Sequence, residues 1–170
     1  MTATQQAVDP QARLQRALDL AYRQLGRRDR TVAELRRHLA SRALEPQTID
    51  EVVAELARQG CLDDTRYARR FAEDRRGLDD WGPDRIERRL LAAGVDPQLI
   101  AAALVERDGE DELHAAVALL RRRWREVPTS DRERERALQL LVRKGYDLEL
   151  AYDAVRALEG DDATRAGRGS

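Results

Sequence analysis

Two adjacent carboxylate pairs, Asp63-Asp64 and Asp79-Asp80, are the first residues in this chain whose types could do chemistry. Neighbouring acids can gather oxygen ligands for a divalent cation. Asp63-Asp64, however, directly precedes a helical pattern, where acidic side chains cap free N–H groups and complement the positive end of the helix dipole. Capping explains the pair without a metal. His38 and His114 are the only histidines, and neither has a cysteine or a second histidine at ligand spacing, so no transition-metal site is expected and both should lie at the surface. Cys61 is the single cysteine, which leaves no partner for an internal disulfide. The glycines fall at predicted helix ends rather than in a phosphate-binding loop. Neither a nucleotide-binding nor a nucleophilic enzyme is expected, and no cofactor.

Charge offers a second kind of chemistry. Over the whole chain it nearly cancels, with 31 Lys and Arg against 32 Asp and Glu. Between Arg121 and Lys144, nine basic residues stand against four acidic ones, a local excess of five on otherwise ordinary helix surface. Arginine's planar fork suits carboxylate and phosphate oxygens.

The elements that must carry these residues follow a repeat. Leu39, Leu90 and Leu141 are 51 residues apart, and the same step links Leu44 to Val95 to Tyr146, Ile49 to Ile100 to Ala151, and Val53 to Leu104 to Val155. The polar punctuation keeps the register. Glu45, Asp96 and Asp147 recur at helix starts, with Pro46 and Pro97 at the first helical position, where a missing N–H costs nothing. Gly94 and Gly145 fall where a helix end favours a left-handed residue, and Ala43 departs from that pattern.

Each repeat reads as three helices, over 12–26, 32–43 and 46–60, then 64–76, 83–93 and 97–107, then 110–126, 131–144 and 148–158. Thr31 with Glu34 and Ser130 with Glu133 form capping boxes, and Gly82 serves as the cap before Pro83. Leu113, Val117, Leu120 and Trp124 fall on one helix face as a core stripe. No segment alternates as a strand does. The fold expected is all-α, three tandem three-helix units stacked into an elongated repeat, straight or curved. A unit of about fifty residues buries too little surface alone, and its neighbours supply the rest. The units span 11–61, 62–109 and 110–160, with disordered tails over 1–10 and 161–170.

The run Gly60-Cys61-Leu62-Asp63-Asp64-Thr65-Arg66-Tyr67-Ala68-Arg69-Arg70-Phe71, followed by Arg75, Gly82, Arg85-Ile86, Leu90 and Gly94-Val95, resembles the signature of the RecX family of recombinase regulators. The match is specific in order and spacing, while the third unit is less characteristic and Trp81 stands where family members vary. By their spacing alone, Tyr67 and Phe71 lie one turn apart and should pack against the next helix. The resemblance implies a helical protein, not an enzyme, that binds the RecA–DNA filament and inhibits or modulates its ATPase, strand exchange and extension. With a lone cysteine and no pattern of a signal peptide or a membrane span, a cytoplasmic protein without membrane contact is expected, and a monomer. DNA backbone within the filament would be a second contact.

The candidate contact residues are basic. Arg85 and Arg88 should point away from the apolar side of their helix, with Arg89 on its flank, and Arg122 and Arg125 away from the Leu113–Trp124 stripe. Arg143 and Lys144, closing the basic run, complete the set. The rival reading is a direct DNA-binding regulator built from helix-turn-helix-like units. The chain contains no Asn, and its middle helices carry few Gln, which disfavours base reading and leaves phosphate contact open.

Overall fold

A computed structural model describes the backbone of residues 9–105, 107–124 and 126–167, with side chains to residue 160. Among the described residues there are nine helices and no strand: α1 (Pro10–Leu25), α2 (Val32–Ala40), α3 (Pro46–Arg58), α4 (Asp64–Asp79), α5 (Pro83–Ala92), α6 (Pro97–Val105), α7 (Gly109–Arg123), α8 (Asp131–Lys144) and α9 (Leu148–Gly167). None of these helices is long and apolar enough to cross a membrane.

Local chemistry starts most of them. Thr31 and Ser130 form the two capping boxes with Glu34 and Glu133. The Asp147 carboxylate accepts from the amides of Glu149 and Leu150, whereas Glu45 makes no side-chain cap and leaves α3 to Pro46. Ala43 adopts a left-handed φ of 58° in spite of its Cβ, matching Gly94 at 82° and Gly145 at 93°. The turn is thus kept in all three repeats, and in the first it is made at the steric cost glycine avoids.

Both chain ends differ from expectation. Asp9 caps α1 and Pro10 is its first residue, where a tail was expected to 10; residues 1–8 lie outside the described residues. At the other end α9 continues to Gly167, through much of the expected 161–170 tail, and residues 168–170 lie outside the described residues. Once a helix is nucleated, each added residue closes one more hydrogen bond and needs no apolar face. Conversely α7 stops at Arg123, because Trp124 turns to an extended conformation and lays its ring against the core.

Backbone packing divides the chain into two compact units. One holds the residues through Tyr67 with Ala92–Asp96, the other Ala68–Leu91 with Pro97 onward. In the first, α1, α2 and α3 pack on one another around Ala17, Ala21, Leu35, Leu39, Val52 and Leu56, all fully buried. In the second, α7 and α8 pack on α9 around Ala116, Leu120, Leu141, Ala151 and Ala154. The 51-residue register is the core register: Leu39, Leu90 and Leu141 are each fully buried, as are Ile49, Ile100 and Ala151 to within a few per cent.

A single kind of joint occurs inside each unit. In the first, the Thr31 hydroxyl donates to the Ala93 carbonyl at 2.6 Å, and a Cβ on Gly94 would come within 2.4 Å of the Ala33 Cβ. In the second, the Gly82 amide donates to the Lys144 carbonyl at 2.8 Å, and a Cβ on Gly145 would come within 2.4 Å of the Arg85 Cβ. Thr31 and Gly82 are 51 residues apart, as are Ala93 and Lys144. The repeat therefore encodes a contact as well as a helix pattern.

Candidate functional site

The seven candidate contact residues all belong to the second unit, and Arg125 lies outside the described residues. The other six divide according to what the end of α8 requires. The last carbonyls of a helix have no partner within it, and neither do the first amides of the next. Here the two sets meet. The carbonyls of Arg143, Lys144 and Gly145 accept from the Arg85 guanidinium at 3.2 Å, the Gly82 amide at 2.8 Å and the Asp84 amide at 3.1 Å. Glycine is needed on both sides, because a Cβ on Gly82 would sit 2.4 Å from the Gly145 oxygen.

Arg85 consequently does not point outward as its helical position suggested. It is half-buried, with its guanidinium carbon 4.2 Å from the centre of the Trp81 ring, where the π face and the negative end of α8 both favour a cation. Lys144 is drawn in as well: its ammonium donates to the Asp79 carbonyl at 2.6 Å and closes the end of α4. Beneath them Trp81 meets Phe71 edge to face, with centroids 6.2 Å apart, and Arg75 lies over both rings while pairing with Asp79. Trp81, which stood out in the sequence only as a family departure, is the centre of this stack.

Arg122 is exposed, and its guanidinium pairs with Asp80 at 2.5 Å. Asp80 holds a left-handed φ of 54°. The second carboxylate pair of the sequence is thus occupied by arginines and a helix end. Deeper in the unit Arg76 and Glu112 form an ion pair at 3.2 Å with both side chains 6% exposed, and Arg76 also donates to the Leu104 carbonyl. Burial holds the Glu112 carboxyl above its ordinary range, against the pull of Arg76 and Arg107. Burial likewise pushes the Tyr146 phenol up to about 12, with the Glu112 and Asp80 charges adding to the rise and Arg107 and Arg122 opposing it. Nothing local in the sequence marked Glu112, Arg76, Arg107 or Tyr146 as a group. Their spacings are tertiary.

Arg88, Arg89 and Arg143 remain on the surface. Arg88 is exposed and reaches back to the Asp84 carbonyl, while Arg89 and Arg143 are exposed at the outer faces of α5 and α8. These three, with Arg122 at the edge of its ion pair, can present guanidinium donors to a carboxylate or phosphate without breaking the core. Near Arg143, Val142, Leu148 and Tyr152 are about half exposed and line a shallow apolar groove.

The motif residues serve mainly as structure. Leu62 and Ala68 are buried and Tyr67 and Phe71 are half-buried. Asp63 accepts from the Arg66 amide at 2.9 Å and caps α4, while Asp64 reaches the Val32 amide at 2.9 Å and helps start α2. His38, expected at the surface, is half-buried with an Nε2 that makes no hydrogen bond; burial and the nearby Arg42, Arg30 and Arg27 lower its pKa. His114 and Cys61 are exposed.

Known proteins give this arrangement a family context. The three three-helix domain models of RecX match in chain order, the first over residues 17–56, the second over 63–104 and the third over 110–155. A "Regulatory protein RecX" of Xanthomonas axonopodis pv. citri is 38% identical over 138 residues, 81% of this chain and 82% of that protein. The Deinococcus radiodurans protein of the same name is 34% identical over 140 residues, 82% of this chain and 66% of its own length. In fold, the crystal structure of RecX from Lactobacillus salivarius matches with a TM-score of 0.76 at 21% identity, over 86% of this chain and 97% of that one.

Proposed function

The chain belongs to the RecX family, and from that premise we propose that it is a non-catalytic regulatory protein that binds the RecA–DNA filament and modulates ATP hydrolysis, strand exchange and filament extension. The observation that carries the reading is the ordered match of all three family domains, with relatives named as regulatory proteins over most of the chain. Acting beside a recombinase, it would work in the cytoplasm. The exposed arginines of the second unit support a charge-assisted docking surface, with Arg88, Arg89 and Arg143 as its leading residues and Arg122 added to them; Arg125 is a candidate on its sequence position alone. Arg85 and Lys144 would act through the backbone they hold in place. Several modest polar contacts reinforce one another when geometry lets them engage together.

The deciding measurement is the DNA-dependent ATPase of the cognate RecA, preassembled on DNA, at increasing amounts of this protein. Inhibition at less than one molecule per protomer is expected, since one blocked end stops a growing filament. Loss of activity only at stoichiometric excess, tracking DNA competition, would favour the direct DNA-binding reading instead. Reversing Arg88, Arg89 and Arg143 to Glu should leave helical content and melting nearly unchanged and weaken filament association by about tenfold or more, most strongly at low salt.

A further inference from the structure

We propose that the cleft walled by Arg76, Arg107, Arg122 and Tyr146 in the second unit is a binding site for a phosphate group. The cleft has a volume of about 320 Å³. Its cations come from three places in the chain: Arg76 from α4, Arg107 from just beyond α6, and Arg122 from α7. Asp80 and three small residues, Gly77, Ala115 and Ala118, form the rest of the wall, and the small ones keep the space between the guanidiniums open.

The charges are only partly matched within the unit. Asp80 holds Arg122 and Glu112 holds Arg76, which sets three guanidiniums against two carboxylates. Arg107 is half-buried, and among the described residues no side-chain hydrogen bond or ion pair engages its guanidinium. The Arg76 Nε is buried without a hydrogen bond, on a side chain that is 6% exposed. A partly buried cation with spare donors is costly until an anion completes it. The Tyr146 ionisation responds to both Arg107 and Arg122, so its hydroxyl lies within electrostatic reach of the same two cations.

Phosphate fits better than a further carboxylate. Its tetrahedral oxygens accept donors converging from several directions, whereas a carboxylate takes donors in one plane, and Asp80 and Glu112 each already face one of the guanidiniums through a single ion-pair contact. A phosphate between Arg107 and Arg122 would use the spare donors and share Arg122 with Asp80. The group could be presented as free phosphate or nucleotide, or as one phosphodiester of a polynucleotide backbone. The inference does not rest on the filament reading, and its test contains no recombinase.

The full chain is titrated with inorganic phosphate, and separately with oligothymidylate, at constant ionic strength held with chloride, following arginine Nε–H NMR resonances and the melting midpoint. Saturable shifts of the Arg76, Arg107 and Arg122 resonances are expected with at least one probe. Arg107→Gln should weaken that binding by about tenfold or more, as loss of a charge-assisted donor does, while Arg58→Gln, on α3 of the first unit, leaves it unchanged. Ala118→Leu, which fills the cleft without touching a charge, should weaken it too and guards against a folding defect in the first variant. Saturation by phosphate alone assigns the site to a free ligand; Arg107-dependent saturation by oligothymidylate assigns it to a backbone phosphate. No saturable response to either probe, or equal loss in Arg107→Gln and Arg58→Gln, overturns the proposal.

Discussion

Replacing Gly145 by alanine tests whether the joint between the end of α8 and the start of α5 is closed as the structure has it. Gly145 has φ of 93°, which for alanine costs about 1–2 kcal/mol relative to glycine. The added Cβ would also lie 2.4 Å from the Arg85 Cβ and 2.6 Å from the Arg85 nitrogen, far inside the roughly 3.5–4.0 Å of good contact. One of those atoms is backbone, so the joint must open. Overpacking of this kind costs about 1–3 kcal/mol, and the hydrogen bonds to the Lys144 and Gly145 carbonyls are loosened as it opens. The sum is about 3–5 kcal/mol. Gly77 gives the opposite prediction for the same chemical change. It lies exposed within α4 with nothing within 4 Å of an added Cβ, so alanine should stabilise by about 0.5–1 kcal/mol. Both tryptophans, Trp81 and Trp124, lie in the same unit as these glycines, so intrinsic fluorescence during urea unfolding reports on it directly. At a slope of about 2 kcal/mol per molar urea, Gly145→Ala should lower the midpoint by about 2 M while Gly77→Ala raises it slightly. A Gly145→Ala midpoint within about 0.5 M of the parent would refute the closed joint.

Other perturbations test the buried groups. Arg76→Met leaves the Glu112 carboxylate buried without its partner and should cost about 3–5 kcal/mol, whereas the double variant with Glu112→Leu should recover most of the loss in the same urea assay. Tyr146 has a folded pKa of about 12 against an ordinary 10.0, so the stability linked to its neutral form is complete below pH 10 and lost as pH rises from 10 to 12. That loss amounts to about 2–3 kcal/mol, and Tyr146→Phe should flatten it; parallel midpoint-versus-pH curves for the two proteins would contradict the assignment. Thr31→Val removes a fully buried hydroxyl that accepts from the Glu34 amide at 3.1 Å and donates to the Ala93 carbonyl at 2.6 Å, and should cost about 1.5–3 kcal/mol. Hydrogen exchange at the Glu34 amide should accelerate; unchanged protection there would count against the cap.

Much of the fold was legible along the chain because its causes are local. A capping box spans four residues, a proline at a helix start acts on its own φ and N–H, and an apolar position recurring every third or fourth residue places a side chain on one face. The 51-residue step extended that logic to the core: Leu39, Leu90 and Leu141 are fully buried because each occupies the same place in the same helix of its repeat. The left-handed turns at Gly94 and Gly145 were visible as well, and the turn at Ala43 was concealed only because its residue type does not advertise the conformation.

The fate of the charges was decided by tertiary structure. Arg85, Arg88 and Arg89 share a helix and read alike in sequence, yet Arg85 lies over Trp81 and bonds the Arg143 carbonyl while its neighbours stay exposed. Lys144 closes the end of α4, 65 residues away, and Arg122 takes Asp80 across 42. Glu112, in the acidic first turn of α7, is among the most buried polar groups. The sequence alone determined which residues form helices, where those helices start and which faces turn inward, since each choice depends on neighbours within a turn or two. It could not determine which cation satisfies which orphaned carbonyl, or which guanidinium is left facing an open cleft. Those partners are set by where helix ends meet, and an unpaired group at a helix end bonds whatever donor the packed backbone brings within 3 Å.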